Sequence, residues 1–165
     1  MDLAVKHRFF KSLCGGENIL PKSGEQSGGE SISTEAEEVY RLHIQARSGA
    51  RMEAGLATDQ WKTETDDYVS SAMGLFQSMS SDGFKATCAV PIDPDGELLG
   101  GAHRVACALS LGIPHITVEL RPKYVWAPAW DYLWFTENMP KLYRRRILQD
   151  WIDLNGGNNR GLASR

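Results

Sequence analysis

The sequence predicts a single α/β (α+β) domain in which a small mixed sheet is flanked by helices, with an N-terminal helix and an aromatic-rich C-terminal helical extension. The chain has 165 residues, of which 42% are hydrophobic and 24% charged, and this suits one globular domain with one core. Short apolar runs bounded by turn residues indicate strands within residues 87–120. Apolar residues at three- and four-residue intervals indicate helices before, between and after those strands.

Both ends of the chain are predicted to be flexible. Residues 14–33 are rich in Gly, Ser, Glu and Lys, a composition that buries too little surface to offset the entropy lost on ordering. The sequence therefore predicts a flexible leader over residues 1–33 and, from its glycines and asparagines, a loose tail over residues 155–165. The domain is expected at residues 34–154, with its core at about residues 60–120.

Two helices are predicted before the sheet. The first begins at residues 33–34, where a hydroxyl can cap free N–H groups, and continues to about Arg47. Its first turn is acidic, which suits the positive end of the helix dipole. The second helix begins near Thr63 or Thr65 and continues through Ser80, because apolar residues recur there at helical spacing.

The central segment is predicted to form a hairpin, a short helix and a further strand. Residues 87–92 are typical of a strand, Asp93–Gly96 of a tight turn, and residues 97–99 of the returning hairpin strand. A glycine pair ends that strand, and residues 103–111 have the spacing of a short helix. Residues 113–120 follow as another strand.

The last part of the chain is predicted to be helical and rich in buried aromatic side chains. The aromatic residues expected mainly in the core are Tyr124, Trp126, Trp130, Tyr132, Trp134 and Phe135. A final amphipathic helix is expected over about residues 140–154. Its predicted buried face comprises Leu142, Ile147, Leu148 and Trp151.

Charge and cysteine content argue against several classes of function. The formal net charge is −3, which disfavours a nucleic-acid partner because proteins that bind nucleic acids are normally basic. The three cysteines show neither paired metal-ligand spacing nor a redox pair, and this favours the reducing cytoplasm. No apolar run reaches the roughly 20 residues that cross a bilayer. The sequence therefore predicts a cytoplasmic protein without a membrane partner or signal peptide.

The strongest candidate for chemistry is the turn Gly100-Gly101-Ala102-His103-Arg104. Glycines let the backbone approach a phosphate, and a helix that starts directly afterwards presents unpaired N–H groups and a partial positive charge. At a surface turn, His103 and Arg104 add side-chain donors, and arginine can hold two phosphate oxygens. The same glycines also suit an ordinary tight connection between a strand and a helix that binds no ligand. From the residues alone, a phosphate site and a simple connection both remain open.

The wider segment, residues 91–114, resembles the core of the ParB/sulfiredoxin superfamily. There a hairpin leads into a glycine turn, an HR or RR pair and an alanine-bearing helix, followed by a strand. The resemblance covers roughly residues 60–120. It implies a domain of that type with a nucleotide-phosphate site.

Sulfiredoxins have a Gly-Gly-Cys-His-Arg turn whose last two residues contact nucleotide phosphates. The resemblance therefore implies a nucleotide-binding role for Gly100, Gly101, His103 and Arg104. Ala102 stands in place of the catalytic cysteine. Since the thiolate is the nucleophile in sulfinic-acid reduction, the alanine argues against that activity.

Two further features of the superfamily have counterparts in this chain. Sulfiredoxins use a Lys-x-x-Ser motif at the start of an upstream helix to help bind nucleotide, and Lys62 and Thr65 match it with threonine in place of serine. Free serine kinases have an Asp-Gly-x-His-Arg turn and a separate glutamate as general base, and here a glycine stands at the Asp position. The hairpin carboxylates are then the candidates for base or metal contact, namely Asp93, Asp95 and Glu97. Each of them also suits a turn or surface position.

A second basic group lies upstream. His43 and Arg47 are four residues apart and share a helix face, and Arg51 follows in the next turn. Such a group can bind an anionic substrate, for example a sugar phosphate. The alternative is a solvated helix end, where basic residues complement the dipole.

The leading functional hypothesis is a nucleotide-binding phosphotransferase that uses ATP or ADP with Mg²⁺ to phosphorylate a small hydroxylated molecule, serine-like or sugar-like. The first alternative is a non-catalytic nucleotide-sensing module that acts through a protein partner. The second is a ParB-like DNA-binding or nuclease protein. ParB proteins continue into a DNA-reading region, and the 45 residues after Leu120 are too few for it.

Overall fold

The computed structural model describes residues 1–15, 35–48, 62, 64–123 and 132–156. Within them the chain is mostly helical, with a small parallel two-stranded sheet. The helices are α1 Asp2–Gly15, α2 Glu35–Ser48, α3 Thr65–Asp82, α4 Ala102–Ser110, α5 Tyr132–Asn138 and α6 Lys141–Gly156. The strands are β1 Val90–Ile92 and β2 Val118–Leu120, and a one-turn 3-10 helix, Ala86–Cys88, precedes β1. This confirms a mixed α/β architecture.

The core lies between α1 and the helices around it. α1 packs mainly against α4, and also against α2 and α6. Phe9 of α1 stacks on Tyr40 of α2 with 4.7 Å between the ring centroids. Phe135 and Ile147 close the other side of the core and are fully buried. Burial of these large side chains supplies the main stabilising free energy of the domain.

The N-terminal helix α1 corrects the prediction of a flexible leader over residues 1–33. Residues 2–15 are helical, and Val5, Phe9 and Phe10 are almost completely buried. The prediction took residues 1–33 as one segment, and the polar composition of the Gly- and Ser-rich stretch outweighed the short apolar face of residues 2–15. Residues 16–33 lie outside the described part of the chain, as does most of the predicted tail, from residue 157 onward.

The predicted helices at residues 33–47, 63–80 and 103–111 are confirmed as α2, α3 and α4. α3 begins after Glu64, whose backbone N–H donates to the Asp67 carboxylate over 3.0 Å. This bond satisfies a donor outside the intrahelical ladder, so it fixes where the helix starts.

The final helix is confirmed as α6, but its buried face differs from the predicted one. Ile147 is fully buried as expected, whereas Leu142 is 73% and Trp151 41% exposed. The side of α6 that meets the core is centred on Tyr143 and Ile147. Leu142 lies about 100° around the helix from Tyr143, so it points away from the core.

The sheet is smaller than predicted. β1 and β2 are parallel, with Val90 opposite Val118, while the returning hairpin strand is reduced to one antiparallel bridge between Ile92 and Leu98. The predicted tight turn is confirmed, because the Gly96 N–H donates to the Asp93 carbonyl over 3.0 Å. Gly96 has φ of 84°, which glycine adopts without strain.

Among the predicted core aromatics, Phe135 is buried and Trp134 packs partly buried against the core. Tyr124, Trp126 and Trp130 lie outside the described residues. None of the helices that the structure describes combines the length and the apolar character that a bilayer crossing requires.

Candidate functional site

The glycine turn leads directly into α4. The Leu99 N–H donates to the Pro91 carbonyl over 3.0 Å, and α4 begins at Ala102. Gly101 has φ of 72°, in the left-handed region, and a Cβ atom there would lie 2.8 Å from Nη2 of Arg104. The backbone angle therefore favours glycine at position 101, and a Cβ there would also displace the end of the Arg104 side chain.

The N-terminus of α4 is uncapped. Gly101, the N-cap residue, offers no side-chain cap, and the first turn contains no acidic residue. The first bond of the helix runs from the Val105 N–H to the Gly101 carbonyl. The N–H groups of the preceding residues have no acceptor inside the helix, and together with the helix dipole they favour a bound anion.

Arg104 curls back beside the turn instead of extending into solvent. Its Nη1 donates to the Ala89 carbonyl over 2.8 Å and also to the Cys88 carbonyl. Its Nε and Nη2 lie 3.2 and 2.8 Å from the position that a Cβ atom of Gly101 would take. Nη1 thus holds the segment before β1, while the Nε and Nη2 edge of the guanidinium faces the glycine turn.

His103 faces the core, which corrects the expectation that it lies at a surface turn. Its Nε2 is 2.8 Å from the Tyr40 hydroxyl, and its ring meets the Phe10 ring edge-on at 6.4 Å. Burial lowers the pKa of His103 well below its usual range, and the charges of Lys6 and Arg47 lower it further against the opposing charge of Asp2. The ring is therefore neutral at neutral pH and contributes no positive charge to a phosphate site.

Beyond Tyr40, three basic side chains surround one carboxylate. Lys6 Nζ lies 2.6 Å from Oδ2 of Asp2, and Arg47 Nη1 and His43 Nε2 lie 3.4 and 3.6 Å from its Oδ1. We call these four residues the Asp2 cluster. Lys6 is 3% exposed and His43 is fully buried, so the cluster is a buried polar group between α1 and α2.

The charged groups of the cluster shift one another's pKa values. Burial alone would raise the pKa of Asp2, but Lys6, His43 and Arg47 lower it to about 2. Burial lowers the pKa of His43 to about 3, opposed by Asp2 and reinforced by Lys6, Arg47 and the α-amino group of Met1. At neutral pH the carboxylate is therefore ionised and the His43 ring is neutral.

His43 is the least satisfied polar side chain of the cluster. Neither of its ring nitrogens has a hydrogen-bond partner among the residues that the structure describes, since 3.6 Å to Asp2 exceeds hydrogen-bond length. Its ring meets the Trp134 ring edge-on, with 5.7 Å between centroids. Buried nitrogens without partners are costly and rare, so their presence calls for an explanation.

Lys62 and Thr65 lie at the start of α3. Lys62 Nζ is 4.8 Å from the centroid of the Tyr68 ring. Partial burial and the charge of Arg47 lower the pKa of Lys62, against the opposing charge of Asp67. Lys62 thus lies within electrostatic range of the Asp2 cluster, whereas Thr65 is the half-buried first residue of α3.

Asp93 and Glu97 have structural partners, although Oδ2 of Asp93 is buried without a hydrogen-bond partner among the described residues. Oδ1 of the buried Asp93 accepts the N–H groups of Asp95 and Glu97 over 3.0 and 2.8 Å. Lys123 Nζ lies 2.6 Å from Glu97 and 3.6 Å from Oδ2 of Asp93. No contact described here joins these three carboxylates to His103 or to the Asp2 cluster, and their geometry is that of a stabilised turn.

The structure joins residues that the sequence assigned to separate sites. His103, from the predicted nucleotide site, bonds to Tyr40, which lies on the same helix as His43 and Arg47 from the predicted substrate site. Arg51 lies outside the described residues. Sequence analysis missed Asp2, although its four-residue spacing from a lysine was a signal of a helical ion pair.

Two neighbouring features have the charge character that favours an anion, namely the N-terminus of α4 and the basic side chains of the Asp2 cluster. Within the described residues, no group of three or more His, Cys, Asp and Glu side chains is placed to hold a metal ion. Comparison of the chain with protein-family models, with curated proteins and with solved structures finds no match in any of the three.

Proposed function

We propose that this protein is a domain of the ParB/sulfiredoxin type that binds the phosphates of ATP or ADP at the N-terminus of α4 and transfers a phosphoryl group to a small hydroxylated molecule. The observation that carries the proposal is the start of α4. There an uncapped, acid-free first turn follows a glycine in the left-handed conformation. This is a favourable geometry for the oxygens of a di- or triphosphate.

The side chain of Arg104 supports the same site. Arginine has five N–H donors in a planar fork, and two of them on Nη1 are used by the Cys88 and Ala89 carbonyls. The Nε and Nη2 edge beside Gly101 is one of the two edges with which arginine can hold two phosphate oxygens. In the proposal, one edge of Arg104 fixes the turn and the other binds phosphate.

The electrostatic field at the turn also favours phosphate. After burial, Lys6, Arg47 and Lys62 lower the pKa of His103, against the opposing charge of Asp2. Their positive field therefore reaches the first turn of α4, where the phosphates would lie. His103 supports the site as a neutral ring that links the turn to α2, and Thr65 stays a candidate donor at the start of α3.

In the proposed reaction with ATP, the acceptor hydroxyl oxygen bonds to the γ-phosphorus while the bond to the β–γ bridging oxygen breaks. ADP leaves with that electron pair, and the hydroxyl proton passes to water. The proposal places Mg²⁺ on the nucleotide phosphates, where it would offset their charge. A cytoplasmic location remains part of the proposal and agrees with three cysteines that are free thiols.

A non-catalytic nucleotide sensor is the second candidate. It is favoured by the hairpin carboxylates, because the Asp93 side chain is buried and holds the turn, and Glu97 is paired with Lys123. A sensor needs no general base, and it would act through a protein partner. A ParB-like DNA-binding or nuclease role ranks third, since the formal net charge of −3 opposes it.

Calorimetric titration with ATP, ADP and CTP, each with and without Mg²⁺, tests the proposal. Wild-type protein is expected to bind at least one nucleotide, and Arg104→Lys is expected to weaken binding tenfold or more, because lysine keeps the charge but loses the fork. Arg121→Lys, at an exposed ion pair with Glu119, is the control. Absence of binding to all three nucleotides would overturn the proposal, and product analysis after long incubation with acceptors separates kinase from sensor.

A further inference from the structure

The Asp2 cluster has properties that a purely structural ion pair does not need. A single lysine at 2.6 Å already provides the carboxylate with a strong ion pair. Arg47 and His43 nevertheless approach the other oxygen at 3.4 and 3.6 Å, both beyond the optimum for a hydrogen bond. Three basic groups thus converge on one carboxylate, and two of them are loosely engaged with it.

We propose that the Asp2 cluster is the binding site for an acidic group of the acceptor molecule, so that the substrate is a hydroxylated phosphomonoester or carboxylate. This inference rests on the proposed phosphotransferase function and specifies its substrate class. The incoming anion binds Arg47 and His43 and takes up the interactions that they make only loosely with Asp2. The Asp2 carboxylate holds the basic side chains in position when no acceptor is bound.

The His43 ring is the independent observation behind this assignment. It is fully buried, and within the described part of the chain neither nitrogen has a hydrogen-bond partner. A neutral imidazole has one donor and one acceptor nitrogen, and the donor can bind a phosphate or carboxylate oxygen. A histidine kept only for packing against Trp134 would leave both nitrogens unsatisfied at a cost of about 1–3 kcal/mol each.

Asp2 and Arg47 are the least buried members of the cluster, so in this assignment the acceptor approaches from their side. The Asp2 and Arg47 side chains keep 17% and 10% exposure, whereas the Lys6 side chain keeps 4%. An anion that reached Arg47 would also lie within the field of Lys62. The Tyr40–His103 hydrogen bond connects this cluster to the first turn of α4, so acceptor and nucleotide would bind at opposite ends of one polar connection.

Calorimetric titration with glycerol 3-phosphate, glycerate and glycerol tests the assignment. These probes compare a phosphomonoester, a carboxylate and a neutral molecule on a similar hydroxylated skeleton. The expected result is binding of one or both anions and not of glycerol. Arg47→Gln is expected to weaken anion binding about tenfold or more, the loss typical of a hydrogen bond between charged groups.

Arg41→Gln is the matched control, because Arg41 lies on the same helix and pairs with Glu37 and Asp66. It is expected to leave anion binding unchanged. The His43 ring nitrogen signals of the wild-type protein should also shift when glycerol 3-phosphate is added. That NMR measurement decides the question if Arg47→Gln fails to fold.

Parallel titration with MgATP separates this inference from the proposed function. Nucleotide binding without anion binding, or anion binding equal in wild type and Arg47→Gln, would overturn the acceptor site alone. Competition between glycerol 3-phosphate and MgATP would also overturn it, because the cluster would then belong to the nucleotide site. Arg47-dependent anion binding without any nucleotide binding would support the anion site and overturn the phosphotransferase.

Discussion

The Tyr40 hydroxyl lies 2.8 Å from Nε2 of His103, although the two residues are 63 positions apart in the chain. This hydrogen bond joins α2 to the first turn of α4. It connects the two regions that are proposed to bind nucleotide and acceptor. Replacing either partner leaves the other without this hydrogen bond, with Tyr40 fully buried and His103 partly buried.

Tyr40→Phe is expected to lower the free energy of unfolding by about 1–3 kcal/mol, because the His103 nitrogen loses its partner in a buried position. Urea denaturation measures the loss. A double-mutant cycle with His103→Leu should show a coupling energy of about 0.5–3 kcal/mol. Additive effects of the two substitutions would show that the hydrogen bond does not form in solution.

His43 is expected to make the protein less stable as the pH falls. Its pKa is lowered to about 3 in the folded protein, first by burial and then by Lys6, Arg47 and the α-amino group. Because its pKa is near 6.5 in the unfolded chain, only the unfolded state takes up a proton between these values. The stabilisation is complete above about pH 6.5 and is lost progressively as the pH approaches 3.

From pH 7 to pH 5, His43 is expected to account for a loss of about 2 kcal/mol. Urea denaturation at both pH values, compared between wild type and His43→Phe, measures this contribution. The phenylalanine keeps an aromatic ring against Trp134 but does not titrate. Equal pH dependence in the two proteins would mean that His43 is not buried as a neutral ring.

Asp2→Asn is expected to destabilise the protein by about 2 kcal/mol or more, because Lys6 stays buried without its nearest counter-ion. The matched control is Asp66→Asn, which removes an exposed partner of Arg41 and should cost less than about 1 kcal/mol. Thermal unfolding monitored by circular dichroism compares them. Equal small losses would show that the Asp2 pair is solvated.

Gly101→Ala is expected to cost more stability than Gly112→Ala. Both glycines have positive φ, 72° and 66°, so both substitutions carry the left-handed penalty of roughly 1–2 kcal/mol. Only at position 101 would the new Cβ lie 2.8 Å from the Arg104 guanidinium, whereas nothing lies within 4 Å of it at Gly112. Chemical denaturation of both variants isolates the cost of that close approach, and equal losses would contradict it.

Helices with regular apolar spacing were predictable from the sequence, and the positions of α2, α3 and α4 confirm this. α1 was not, because four buried side chains on its short apolar face are followed by a long polar stretch. The predicted strands were longer than the observed ones for a different reason. Residues 113–117 are apolar enough for a strand, but only the Thr117 carbonyl bonds to β1, and the paired register begins at Val118. Pairing depends on the partner strand rather than on composition.

The candidate site was predictable only in part. The sequence identified His43, Arg47 and His103 as functional candidates, but it placed them in two unconnected groups. Their connection depends on Tyr40 and on an ion pair from α1, both set by how helices pack across long sequence separations. The position of His103 next to a glycine turn does not indicate that its ring points towards the core.

The two hydrogen bonds from Arg104 to the Cys88 and Ala89 carbonyls offer a practical way to observe the turn. Any ligand that repositions the guanidinium should disturb the backbone at Cys88, whose thiol belongs to an exposed residue. Cys107 is buried, so a Cys14→Ser variant would leave Cys88 as the only exposed cysteine in the part of the chain described. An environment-sensitive fluorophore attached there would report occupancy of the glycine turn directly and in real time.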